Sequence, residues 1–122
     1  MNAVIFVAAA ALSTASGEPT YLDCQAMLQS DVRVWTIRIE GAQARPVGTR
    51  YDRVAASARP TQSISSTLTQ DRIEIEVRDG NAGERFGIMR STGVMEYTQL
   101  TGLDHSGTEG VVANIVGRCM SR

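Results

Sequence analysis

The longest regular alternation of apolar and polar residues lies in the second half of the chain. Between residues 72 and 78, Ile73, Ile75 and Val77 alternate with arginine and glutamate. Because successive side chains of a strand point to opposite faces, this period of two places every apolar side chain on one face and every charge on the other. The pattern predicts a half-buried antiparallel strand.

Two turns that contain glycine follow this strand and connect it to two more. The segment Asp79–Gly83 has residues that tolerate positive φ and bond their own backbone, so the chain reverses before Phe86 and Ile88 resume the inward face. The segment Arg90–Gly93 predicts a second tight turn, whose last residue is left-handed and therefore glycine. A third strand is predicted over residues 94–100, and the pattern does not assign its inward face.

The remaining strands are predicted from shorter alternations. Gly41–Val47 contains Pro46 and is predicted to be a loop or an edge segment. Thr49–Ala58 is consistent with an edge strand that ends before Pro60 or with a short helix capped by Asp52, and the strand is favoured because the neighbouring segments are strands. The clearer strands are Thr20–Gln29, Val32–Glu40, Thr61–Thr69 and Val111–Cys119.

About eight short strands at fairly even spacing, with almost no helix, predict an all-β fold. The simplest arrangement is a small antiparallel meander that forms a barrel or a strongly rolled sheet. Side chains just fill the interior of a barrel of this size, so a large ligand cavity is not expected. Trp35, the only tryptophan, shares strand parity with Ile37 and Ile39 and is predicted to lie in the core.

The first residues differ in composition from the rest of the chain. An apolar run from Ala3 to Leu12 is followed by small residues and Pro19, which predicts a secretory signal peptide over residues 1–17 and a single exported β-domain over residues 18–122. Cleavage is expected after Ala15 or after Gly17. No lysine or arginine precedes the apolar run, so either the start codon is misplaced or the free amino terminus alone supplies the positive charge. The alternative interpretation of the run is an ordinary buried strand or helix of the mature fold. The prediction places the protein in the periplasm or outside the cell, without membrane insertion once the leader is removed.

Two cysteines stand near the two ends of the exported segment, and in an exported protein such a pair predicts a disulfide between Cys24 and Cys119. Strand parity supports the pairing, because each cysteine shares a face with apolar residues and both sulfurs would point inward. On the first strand these residues are Leu22, Ala26 and Leu28, and on the last they are Val111, Ala113 and Ile115.

Charge and side-chain chemistry exclude several classes of function. The net charge is −1, and the twelve basic residues are all arginines scattered along the chain, which disfavours nucleic acid and anionic membranes as partners. His105 is the only histidine, and its neighbour Asp104 is too close in sequence to predict a catalytic triad. Asp104, His105 and Glu109 are too few ligands for zinc and do not have the spacing of an EF-hand. We therefore predict no catalytic residues, no metal and no cofactor.

The paired carboxylates Glu74 and Glu76 share one exposed face, a pattern compatible with the two catalytic carboxylates of a glycosidase. Arg72 and Arg78 flank them on that face, so cross-strand ion pairs are predicted instead of acid–base chemistry.

Several short motifs resemble those of known exported proteins. Tyr21–Cys24, Val34–Ile37, Arg90–Gly93 and Gly117–Cys119 are similar to motifs of a loose group of small exported bacterial β-sheet proteins of unknown function. More distantly, the chain resembles the periplasmic inhibitors of c-type lysozyme, small barrels in which a Ser-Gly-x-x-Tyr segment and a later lysine plug the lysozyme cleft. Here Ser91-Thr92-Gly93 precedes a slightly displaced Tyr97, and the chain has no lysine.

The sequence thus favours a noncatalytic exported β-domain that acts by contact with a protein or a cell-wall component. Its turns and the loop Thr101–Gly110 are the expected contact regions, because rigid sheets commonly present functional loops. Candidate contact residues are Ser91, Tyr97, Asp104 and His105. The alternative is an inhibitor of a cell-wall hydrolase of lysozyme type, in which Ser91, Tyr97 or a loop arginine enters an acidic cleft.

Overall fold

A computed structural model describes residues 18–48, 51, 62–103 and 109–122. These residues form eight strands whose apolar and polar side chains alternate between the two faces. The strands are β1 (Thr20–Leu28), β2 (Asp31–Glu40), β3 (Gln43–Val47), β4 (Gln62–Leu68), β5 (Arg72–Asp79), β6 (Ala82–Met89), β7 (Val94–Thr101) and β8 (Gly110–Ser121).

All eight strands belong to one antiparallel sheet with the order β3-β2-β1-β8-β7-β6-β5-β4. The first strand pairs with the last in the middle of this order, and the sheet rolls so that its two end strands approach each other and form a nearly closed barrel. The two end strands, β3 and β4, meet at a seam where the Ala44 backbone N–H donates to Ser66 Oγ at 2.9 Å. The predicted all-β meander is therefore confirmed.

The second half of the chain follows its predicted pattern, and the middle differs from it. The edge segment Gly41–Val47 contains strand β3, in which Pro46 is buried, and proline is tolerated there because an edge strand needs no donor on its outer side. The predicted strand Thr49–Ala58 lies outside the described residues apart from Tyr51, whose side chain is buried. The predicted leader, residues 1–17, also lies outside them.

Because the strands alternate in direction, the barrel has two distinct ends. We call the first the termini end: it contains residues 18–19 and 122 and the turns that join β2 to β3, β4 to β5, and β6 to β7. The opposite end contains the turns that join β1 to β2 and β5 to β6, and the described parts of the connection from β7 to β8.

The core is a cluster of three aromatic rings surrounded by aliphatic side chains. The ring of Trp35 lies 4.5 Å from that of Tyr97 and 5.8 Å from that of Phe86, and the last two rings are 5.1 Å apart. Ile73, Ile75 and Val77 are each about 2% exposed, as their alternation predicted. Aromatic contacts of this kind fill the middle of the barrel, as expected for eight strands, whereas one end holds a cavity that the sequence analysis did not expect.

The inward face of β7, which the sequence left unassigned, consists of Met95 and Tyr97, both fully buried. Leu100 has the opposite parity and is buried for a different reason. It pairs with Gly83 of β6, which has no side chain, and Leu103 packs in the space beside Leu100 that this leaves. A Cβ added at Gly83 would lie 2.6 Å from Leu103 Cδ1.

The register between β7 and β8 shifts beside Leu100. Gln99 pairs with Ala113, whereas Leu100 pairs with Val111, so Val112 forms a bulge. A bulge reverses the alternation beyond it, and Val111 is accordingly 63% exposed. The expectation that Val111 shares the inward face of Ala113 is therefore wrong.

The predicted disulfide is present. Cys24 of β1 pairs directly with Cys119 of β8, and the two side chains are bonded across a separation of 95 residues. Both cysteines are buried, so the bond joins the first and last strands on the inner side of the sheet.

Candidate functional site

A cavity of about 660 Å³ opens at the termini end of the barrel. Its apolar lining comes from inward-facing residues near the ends of four strands, because alternation directs these side chains toward the barrel axis. They are Leu22, Ile39, Ile73 and Ile88. The rim carries polar and charged residues of the β6–β7 turn and of the chain end, namely Arg90, Ser91, Thr92, Ser121 and Arg122.

The β6–β7 turn is fastened to the barrel on two sides. The Gly93 N–H donates to Met89 O at 2.8 Å, and the Cys119 N–H donates to Gly93 O at 2.7 Å. Gly93 has φ of 79°, and a Cβ there would lie 2.4 Å from Cys119 O, so both the conformation and the close approach require glycine. The predicted left-handed residue of this turn is confirmed.

Arg90 adds a second attachment, to the neighbouring β4–β5 turn. Its backbone N–H donates to Asp71 O at 2.8 Å, and its Nη1 donates to Thr69 O at 2.9 Å. These bonds hold the turn at both ends, while Ser91 and Thr92 between them remain exposed. The turn is therefore a rigid element with an accessible tip.

The charges that line the cavity are both positive. Among the described residues, Arg90 and Arg122 are the only charged side chains that line it, and no carboxylate side chain does. Arg122 pairs with Asp23 through Nη2 and Oδ1 at 2.8 Å, and this hydrogen bond lowers the pKa of Asp23 and raises the pKa of Arg122. Within the described ranges, Arg90 forms no ion pair, so it contributes an unbalanced positive charge at the rim.

Of the predicted contact residues that the structure describes, Ser91 lies at this rim and Tyr97 does not. Tyr97 is 0% exposed, its hydroxyl donates to Glu84 Oε2, and Gln99 Nε2 donates to the Tyr97 oxygen at 3.2 Å. The structure therefore does not bring Ser91 and Tyr97 together on one surface, and Tyr97 is not accessible to a partner. Asp104 and His105 lie outside the described residues.

The described ends of the Thr101–Gly110 loop are tied to the barrel. The Leu103 N–H donates to Asn81 O at 3.1 Å, and Arg78 Nη2 donates to Leu103 O. Glu109 Oε2 forms an ion pair with Arg85 Nη2 at 3.6 Å. Both ends of the loop thus contact the β5–β6 hairpin.

A buried carboxylate, which the sequence analysis did not identify, lies inside the barrel. Glu84 is 6% exposed, and its Oε1 accepts a hydrogen bond from the Tyr51 hydroxyl at 3.0 Å while Oε2 accepts one from Tyr97. Buried charged groups require such partners. Strand parity contained the signal, because Glu84 has the same parity as Phe86 and Ile88.

The exposed carboxylates Glu74 and Glu76 form ion pairs. Glu76 Oε2 accepts from Arg85 Nε across the β5–β6 ladder at 2.9 Å, and Glu74 Oε2 accepts from Arg72 Nε at 3.1 Å. The hydrogen bond to Glu76 is the main reason that the pKa of Arg85 is raised. The predicted cross-strand pairing is confirmed for Glu76, with Arg85 as its partner.

Within the part of the chain that the structure describes, no three side chains of the metal-binding types His, Cys, Asp and Glu come close enough together to hold an ion. No described helix has the length and apolar character needed to cross a bilayer.

Fold and site together define a class: an eight-stranded antiparallel barrel-like domain whose first and last strands are joined by a disulfide. A disulfide of this kind is typical of proteins outside the cytosol. Comparisons with protein families, curated proteins and solved structures find no match for this chain.

Proposed function

We propose that the protein is a noncatalytic exported domain, periplasmic or secreted, that binds a protein or a cell-wall component through the termini end of its barrel. The fastened β6–β7 turn is the observation that carries this proposal. Three backbone hydrogen bonds, made by Arg90, Gly93 and Cys119, fix the turn, and its tip stays exposed beside a cavity.

A rigid exposed turn is suited to binding because little conformational freedom is lost when a partner is bound. A flexible tip of the same sequence would lose side-chain and backbone entropy on each encounter, at a cost of about 0.5–1.5 kcal/mol per immobilised side chain. The anchoring by Asp71 and Cys119 removes much of that cost beforehand.

The chemistry of the cavity indicates what the partner presents. Apolar walls and a rim with the unbalanced charge of Arg90 favour an apolar group next to an acidic one. Export is supported by the apolar leader and by the disulfide between Cys24 and Cys119.

The test is a binding comparison between two arginine variants. Arg90→Gln removes the unbalanced charge at the cavity rim together with the hydrogen bond from Nη1 to Thr69 O, and Arg33→Gln removes a charge near the opposite end. Binding to purified cell-wall material, measured by co-sedimentation, and to envelope proteins, measured by crosslinking, is expected to fall for Arg90→Gln by about tenfold and to be unchanged for Arg33→Gln. Equal binding by both variants and the parent would contradict the proposal.

A second candidate is inhibition of a lysozyme-type hydrolase, and the position of Ser91 and Arg90 favours it. Both residues lie at one rim, as a group that enters an acidic cleft would, whereas Tyr97 is buried and cannot take part. Titration of c-type lysozyme with nanomolar to micromolar protein is expected to slow cell-wall hydrolysis, less so for Arg90→Gln. Undiminished activity across several lysozyme types would exclude this candidate.

A further inference from the structure

One outer face of the barrel is unusually apolar. Five large hydrophobic side chains on three adjacent strands are each between 57% and 68% exposed. We call this group the apolar outer face: Met27 on β1, Val32 and Val34 on β2, and Val116 and Met120 on β8.

The strand register makes three of these side chains direct neighbours, whereas Val34 pairs with Gln25 and Met120 pairs with Asp23. Met27 pairs with Val32 of β2, and the pairing of Ala26 with Gly117 places Val116 beside Met27 on the other side. These three residues form a continuous row across three strands. Val34 follows Val32 two residues along β2, and outward-facing residues two apart lie on the same face.

A contiguous apolar group of this kind on a protein surface indicates that a partner binds there. Single exposed hydrophobic residues are normal on protein surfaces, whereas a contiguous patch marks an interaction site. The row of Met27, Val32 and Val116 is surrounded by polar side chains, among them Arg118 and Glu96, and a rim of this kind is typical of protein–protein interfaces.

Two charges beside the row of Met27, Val32 and Val116 show which partner fits. Arg118 of β8 pairs with Val94 of β7, and Glu96 pairs with Val116, so the cation and the anion occupy diagonal positions on adjacent strands. In the described part of the chain neither forms an ion pair, and Glu96 only accepts a hydrogen bond from Asn114 at 3.3 Å. The row thus has one unpaired charge of each sign beside it.

We propose that the apolar outer face is the interface of a symmetric homodimer. A two-fold axis brings the same patch of two copies together, so residues beside the axis meet their own copies and residues away from it meet different ones. With the axis passing between Arg118 and Glu96, Arg118 of each copy faces Glu96 of the other, and both ion pairs form at once. A partner with charge of one sign would leave either Arg118 or Glu96 opposite a like charge.

The first test compares two aspartate substitutions on the same strand. Val116→Asp places a charge within the apolar row, and Val112→Asp is the matched control, because Val112 is 61% exposed but lies at the β7–β8 bulge. Sedimentation velocity over a concentration series is expected to show twice the monomer mass for the parent and for Val112→Asp. Val116→Asp is expected to weaken dimerisation at least tenfold.

The second test exchanges the charges. Glu96→Arg and Arg118→Glu should each weaken self-association, because two like-charged pairs then face each other. Mixed in equal amounts, the two variants should associate again, since each variant supplies the charge that the other lacks. Circular dichroism and urea unfolding of each variant establish that it is folded.

Three results would overturn the proposal. The first is a parent protein that stays monomeric at every concentration. The second is a dimer that Val116→Asp and Val112→Asp affect equally. The third is a folded pair of charge variants that does not associate on mixing.

Discussion

The two halves of the outer surface belong to one sheet and follow the same alternation, yet they are built differently. On β5 and β6 the outward positions carry Arg72, Glu74, Glu76 and Arg85, which neutralise one another within the chain. On β1, β2 and β8 the outward positions carry the apolar outer face, whose side chains are 57–68% exposed and are not covered by any described residue. We call the first group the charged outer face.

The difference shows which half of the outer surface gains from binding a partner. Inward positions are fixed by the core, so only outward positions can differ in chemistry without loss of the fold. The charged outer face satisfies its own charges and needs no partner, whereas an apolar surface gains free energy when it is covered. The ion pairs themselves add little stability, because exposed pairs contribute about 0–1 kcal/mol each.

The largest expected effect comes from the disulfide that lies beneath the apolar outer face. Replacing Cys24 and Cys119 together with alanine should lower the free energy of unfolding by about 2–5 kcal/mol, because the unfolded chain is no longer closed into a loop. Urea unfolding measures the change. Reduction of the parent should reproduce it, and an unchanged midpoint in both experiments would show that the bond does not support this half of the barrel.

A glycine under the same face should give the next largest effect. A Cβ at Gly117 would lie 2.3 Å from Gln25 O and 2.7 Å from Ala26 Cβ, so Gly117→Ala should separate β8 from β1 and cost about 1–3 kcal/mol. Gly110→Ala is the control, because a Cβ there would meet only Thr101 Cγ2 at 3.8 Å. Thermal unfolding of the two variants measures the difference, and equal stability would argue against close packing of β1 and β8.

Breaking an ion pair of the charged outer face should have a smaller effect. A double-mutant cycle made of Glu76→Gln, Arg85→Gln and the double variant measures the interaction energy of this pair. We expect that coupling energy to be below about 1 kcal/mol. The coupling should shrink further in high salt, because both side chains are about half exposed. A coupling that exceeds the effect of Gly117→Ala would reverse the comparison between the two halves.

The smallest effect concerns Asp23, which forms an ion pair at the border of the apolar half. Its pKa is lowered in the folded protein, chiefly by the hydrogen bond from Arg122, so its contribution to stability is present above its unfolded pKa, about 3.9. That contribution is lost as the pH falls through the folded pKa. Asp23→Asn should therefore be less stable than the parent near neutrality and match it in strong acid.

Urea midpoints over a pH series measure this difference between the parent and Asp23→Asn. Asp31→Asn controls for the loss of a negative charge as such, because Asp31 forms no ion pair with the described residues. A difference between the parent and Asp23→Asn that persists unchanged in strong acid would contradict the assignment to Arg122.

The proposed site was only partly predictable from the sequence. Gly93 and the tip residue Ser91 follow from local turn chemistry, which a short segment contains in full. The cavity does not, because Leu22, Ile39, Ile73 and Ile88 come from four strands that are far apart in the chain. The accessibility of Tyr97 was also undecided by the sequence, because β7 carries apolar residues on both of its faces and parity alone does not say which face is inside.

By itself the sequence determined the strand pattern, the inward face of Ile73, Ile75 and Val77, and the pairing of the only two cysteines. The strand features depend on backbone geometry, which repeats every two residues, and the cysteine pairing follows because two cysteines allow only one disulfide within the chain. Only the tertiary structure decided that β1 lies beside β8, that a bulge exposes Val111, and that the outward hydrophobic residues of three strands form one surface. The reason is that strand neighbours and register depend on contacts between distant residues, which no local pattern contains.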